Sequence, residues 1–75
     1  MTHEEKMNYM RIATGVVGYG FDEKGLDMLV SIYELVIEKG GDTDLWSMSK
    51  IQAEVIERDN VKSRSELLDK VSKKV

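Results

Sequence analysis

The sequence predicts an all-α protein, a compact bundle of three to four short helices forming one small domain over residues 1–75. Three observations predict it. Apolar side chains recur at three- and four-residue steps rather than alternating. Residues of helix-start type, such as Thr2, Asp22 and Ser63, stand before these runs. The chain has no proline, so its breaks fall to glycine and to Asp-Asn. A mass of 8.6 kDa leaves room for a single core. At that mass a folded monomer should expose about 4,700 Å² of the roughly 12,500 Å² of its extended chain. Folding then hides only about 60% of the surface, a thin margin that small domains often widen by associating.

Thr2-His3-Glu4-Glu5 has the spacing of a capping box, with Thr2 as N-cap and Glu5 reaching back. Met7, Met10, Ala13 and Val17 follow at helical steps, with Tyr9, Ile12 and Val16 on an adjoining stripe. A first helix from about Thr2 to Val17 is expected, eroded by Gly15, Gly18 and Gly20.

Asp22 is a natural cap for a second helix, and Phe21 and Leu26 occupy the two positions of a hydrophobic staple. This helix should run to Lys39 and stop at Gly40-Gly41. Nine of the twelve positions from Leu26 to Ile37 are apolar. The polar residues Asp27, Ser31, Glu34 and Glu38 fall in a stripe only about 60° wide at 100° per residue. Its β-branched content allows a strand, but its length and the polar stripe favour a helix. So broad an apolar girdle needs cover, either from the other helices or from a second copy or partner.

Asp42 or Thr43 should cap a third helix with Leu45, Met48, Ile51, Val55 and Ile56 on its inner face and Trp46 at the edge. Asp59-Asn60 favours a turn, because both side chains compete for backbone hydrogen bonds. Ser63-Arg64-Ser65-Glu66 then repeats the capping-box spacing and opens a fourth helix to about Lys74. The alternative is one long helix from Asp44 to Lys74.

The same inventory limits function. Without Cys there are no disulfides, thiolate nucleophiles or zinc-thiolate sites, and a reducing cytoplasmic setting is expected. The opening Met-Thr-His-Glu-Glu-Lys has no secretory-leader character, and no apolar run is long enough to cross a membrane. Thr14-Gly15-Val16-Val17-Gly18-Tyr19-Gly20 lacks the strand, and the Gly-Lys-Ser/Thr ending, that phosphate loops require. His3 is the only histidine and stands at a terminus expected to fray, so the serines have no evident activating base. Glu34, Glu38, Asp42 and Asp44 read as a solvated acidic stripe and helix-start residues rather than a calcium loop. No catalytic residue, metal site or cofactor is expected, and the chain does not read as an enzyme.

What remains is a small cytoplasmic protein-binding module, an adaptor, regulator or inhibitor acting through an apolar and aromatic helical surface. Its partner is another protein or a second copy in a homo-oligomer, and its five methionines suit exchangeable contacts. The expected partner-binding residues are Tyr9, Tyr19, Phe21, Tyr33 and Trp46, since aromatics are enriched in interface hot spots. The alternative is a small nucleic-acid-binding regulator. Residues 1–49 carry a net charge of −5 and residues 50–75 a net of +2, from Lys50, Arg58, Lys62, Arg64, Lys70, Lys73 and Lys74. Acidic residues interrupt that set, which argues against a phosphate-tracking stripe.

Overall fold

Thr2 starts the first helix by reciprocal capping. Its hydroxyl accepts from the Glu5 amide at 3.1 Å, and the Glu5 carboxylate accepts from the Thr2 amide at 2.8 Å. In the computed structural model, which describes residues 1–75, helix α1 then runs His3–Val16. Its end is built rather than frayed. Gly18 adopts φ +88°, and the amides of Gly18 and Tyr19 turn back to the carbonyls of Gly15 and Thr14. This Schellman closure needs a left-handed residue after the cap, and glycine takes that conformation without penalty.

Helix α2, Glu23–Glu38, begins at Asp22, whose carboxylate accepts from the Gly25 amide at 2.8 Å. It ends in a second Schellman closure. Gly40 has φ +93°, and the amides of Gly40 and Gly41 donate to Ile37 and Val36 at 3.0 and 2.9 Å. Gly41 is required for a different reason. A Cβ there would lie 2.9 Å from the Val36 carbonyl oxygen and 2.5 Å from Val36 Cγ1.

Helix α3, Leu45–Asp59, is capped by Asp44, not by the expected Asp42 or Thr43. The Asp44 carboxylate accepts from the Ser47 amide at 2.6 Å, the reach that an N-cap needs. Asn60 closes α3 with φ 51° and ψ 45°, a left-handed conformation that asparagine tolerates. Helix α4 is Arg64–Ser72, with the Ser63 hydroxyl accepting from the Glu66 amide at 3.2 Å. Residues 44–74 therefore form two helices. The all-α bundle has four helices and no strand.

Helices α2 and α3 each touch all three others, while α1 and α4 lie apart. The core joins Met7 and Met10 of α1 to Leu26, Leu29, Val30, Ile32 and Val36 of α2, with Met48, Val55, Leu67 and Val71 closing it. Five of the nine apolar α2 residues are thus buried, Met28, Tyr33 and Leu35 are half-buried, and only Ile37 at the helix end is exposed. The chain itself covers the girdle. Total exposed area is 4654 Å², close to the value expected for a monomer of this mass. The radius of gyration, 11.0 Å, is likewise near the roughly 11.4 Å of a compact chain of this length.

One polar side chain crosses the core. Gln52 of α3 is fully buried and donates from Nε2 to the Leu29 carbonyl of α2 at 3.0 Å. Its Oε1 has no partner.

Candidate functional site

Helix α1 carries two apolar stripes, and only one faces the core. Met7, Met10 and Ala13 point inward with Thr14, whose hydroxyl donates to the Met10 carbonyl at 2.8 Å. At 100° per residue Tyr9, Ile12 and Val16 lie within about 60° of one another on a different face. Ile12 is 65% exposed and Val16 is 66% exposed. Both are β-branched, so their shape varies little in a helix and the surface they offer is stiff.

Trp46 extends this stripe onto a second helix. It is the second residue of α3, placed just behind the Asp44 cap. Its ring meets Tyr9 edge to face, with centroids 6.1 Å apart and planes at 83°. Such a pair contributes about 0.5–1.5 kcal/mol beyond its buried area, and so holds the start of α3 against α1. Both rings remain partly open to solvent. The Asp44 cap lies beside this pair, and hydrogen bonding from Ser47, its amide first, holds the Asp44 carboxyl below its usual range.

Of the five aromatic residues expected to bind a partner, the structure brings Tyr9 and Trp46 together. Tyr19 is half-buried in the turn after α1. Phe21 and Tyr33 pack against the core. Ile12 and Val16 were not among the expected residues. Periodicity shows that α1 has two apolar stripes, and burial alone shows which one is left outside.

A second cluster joins α1 to the polar stripe of α2. The expectation that His3 frays is overturned. Its Nδ1 lies 2.9 Å from Glu34 Oε1 and its Nε2 lies 2.5 Å from Asp27 Oδ1. Lys6 reaches the other Glu34 oxygen at 3.5 Å. Hydrogen bonding to Asp27, and next to Glu34, raises the His3 pKa above its ordinary 6.5. The two carboxylates take opposite ring nitrogens, so the three groups do not converge as the ligands of one ion would.

Elsewhere the surface offers less. Lys70 pairs with Asp59 at 3.3 Å and Lys73 with Asp69 at 3.2 Å, so two of the seven C-terminal cations face carboxylates. The surface hollows are each lined by no more than two hydrophobic residues. No helix is long and apolar enough to cross a membrane. The chain matches no protein-family model, no curated protein and no solved structure.

Proposed function

We propose that this protein is a small cytoplasmic protein-binding module whose partner docks on the face formed by Tyr9, Ile12, Val16 and Trp46. One observation carries this reading. Two β-branched residues stand about two-thirds exposed beside a solvent-facing aromatic pair, in a chain that covers its larger apolar girdle itself. Single exposed apolar residues are ordinary, whereas a contiguous patch marks an interaction surface. A rigid patch of β-branched and aromatic side chains also loses little rotamer freedom on binding, which favours affinity. The chemistry is that of an adaptor, regulator or inhibitor, with the apolar contact as its source of binding energy.

The test uses Ile12→Lys and Trp46→Ala, with capture of interacting proteins from the native host and light scattering across concentration. Ile12→Lys should keep wild-type helicity, because it replaces an exposed residue with a good helix former. It should also lose the protein that wild type retains, or lose wild-type self-association. Trp46→Ala should weaken the same contact and leave helical content largely intact. Equal retention by wild type and Ile12→Lys, with both monomeric, would refute the reading. So would bound nucleic acid released steeply by salt, which is the behaviour of phosphate contacts.

A further inference from the structure

The chain's one histidine is held between two carboxylates on a neighbouring helix. His3 Nδ1 faces Glu34 and Nε2 faces Asp27, and both partners are acceptors. A neutral imidazole has one N–H and one lone pair, whereas an imidazolium donates from both nitrogens. Only the protonated ring satisfies this arrangement. Whichever nitrogen loses its proton, a lone pair then faces a carboxylate at hydrogen-bond distance.

We propose that His3 is a proton-operated clasp. Its imidazolium pins the first turn of α1 across the polar stripe of α2, and deprotonation loosens that turn, leaving the Lys6–Glu34 pair as its ionic tie to α2. Asp27 and Glu34 are seven residues apart, two turns along α2, so one ring spans a stretch of helix rather than a single contact. The partners respond unequally. Glu34 keeps Lys6 when His3 turns neutral, but Asp27 has no other cation within salt-bridge distance.

The charged surroundings favour the closed form. From α1 the ring is flanked by Glu4, Lys6 and Arg11, and from α2 by Glu23, Asp27 and Glu34. No α3 or α4 side chain lines the hollow that His3 edges, which measures about 500 Å³. Four acids against two bases stabilise a cation there. The raised pKa agrees in direction, with the Asp27 hydrogen bond as its first cause.

The sign follows from linkage. A group with a raised folded pKa contributes stability that is fully present below its unfolded value, here 6.5. That contribution is lost as pH rises through the folded pKa. The first turn of α1 is therefore docked under mildly acidic conditions and loosened at alkaline pH. Because the ring is partly exposed, added salt should weaken the clasp.

With one histidine, a carbon–proton correlation spectrum of the intact chain shows a single imidazole to follow from pH 4 to 10. The His3 midpoint should lie above 6.5 and fall as salt is added. Amides from Thr2 to Lys6, and those of Asp27 and Glu34, should shift with the same midpoint. Asp27→Asn with Glu34→Gln should return the midpoint to the ordinary histidine value. His3→Gln should remove the fall in Tm that wild type shows as pH rises through the midpoint. A wild-type midpoint at or below 6.5, a midpoint unmoved in the double variant, or a Tm profile unchanged by His3→Gln would each overturn the clasp.

Discussion

Ile32→Ala and Ile12→Ala delete the same atoms from adjoining helices, with opposite expected outcomes. Ile32 lies on α2 and is fully buried. Removing its side chain costs its transfer free energy and leaves a cavity, about 2–5 kcal/mol in all. A domain of this length has a total stability of about 4–11 kcal/mol, so the loss is a large share. Its unfolding entropy near the midpoint is about 0.16 kcal/mol per kelvin, so a loss of about 3 kcal/mol lowers Tm by about 20 °C. Ile12 is already 65% exposed. Only about a third of a burial worth about 1.5–3 kcal/mol is at stake, roughly 0.5–1 kcal/mol. The better helix propensity of alanine offsets a few tenths (roughly 0.4 kcal/mol) of that. Its Tm should shift by less than about 4 °C. Thermal melts followed by circular dichroism, at matched concentrations, make the comparison. An Ile32→Ala melt within about 4 °C of wild type would mean that α2 is not in the core. An Ile12→Ala loss of about 15 °C or more would mean that the outer stripe of α1 is already packed against something in the free protein.

Four further outcomes follow from local geometry. Gly40→Ala should lower stability by about 1–2 kcal/mol, the cost of a left-handed conformation for an L-residue. Gly41→Ala should also destabilise, through the clash with the Val36 carbonyl, while Gly20→Ala, with open space around it, should be nearly neutral in urea unfolding. Gln52→Met keeps the volume but removes the Nε2–H donated to the Leu29 carbonyl along with the buried Oε1, so the two effects should offset and stability should change by less than about 1.5 kcal/mol in urea unfolding; a larger loss would show that the α2–α3 hydrogen bond outweighs the burial of the unpaired oxygen. Asp44→Asn keeps a good cap but removes a carboxyl held below its ordinary 3.8, a contribution present above that value and lost as pH falls through the folded pKa. Wild type should therefore lose Tm relative to Asp44→Asn between about pH 5 and 2, and parallel curves would contradict this.

The helix starts and stops are largely legible in the sequence because they depend on residues three or four positions apart. Thr2 with Glu5, Asp22 with Gly25, and Gly40 with Ile37 are all local pairs. The cap of α3 is less legible. Asp42, Thr43 and Asp44 are all capping types, and only the register of the Ser47 amide selects Asp44. Long-range pairings are not legible in this way. His3 meets partners 24 and 31 residues away, and Gln52 meets a carbonyl 23 residues away. The candidate face falls between these cases. The sequence displays Tyr9 and Trp46 as aromatics and Ile12 and Val16 as a stripe, but helical spacing weighs both stripes of α1 alike. The choice between them is made by α2 and α3, which cover Met7, Met10 and Ala13 and leave Ile12 bare.

Site-specific photocrosslinking in the native host tests the docking face most directly. A photoreactive benzoyl-phenylalanine replaces Ile12 in one variant and, in another, the exposed Ser65 of α4, a helix that does not touch α1. Position 12 should yield an adduct of defined mass that excess wild-type protein suppresses and excess Ile12→Lys does not. Position 65 should yield none. An adduct from position 65 alone, or none from position 12, would contradict docking on the α1–α3 face.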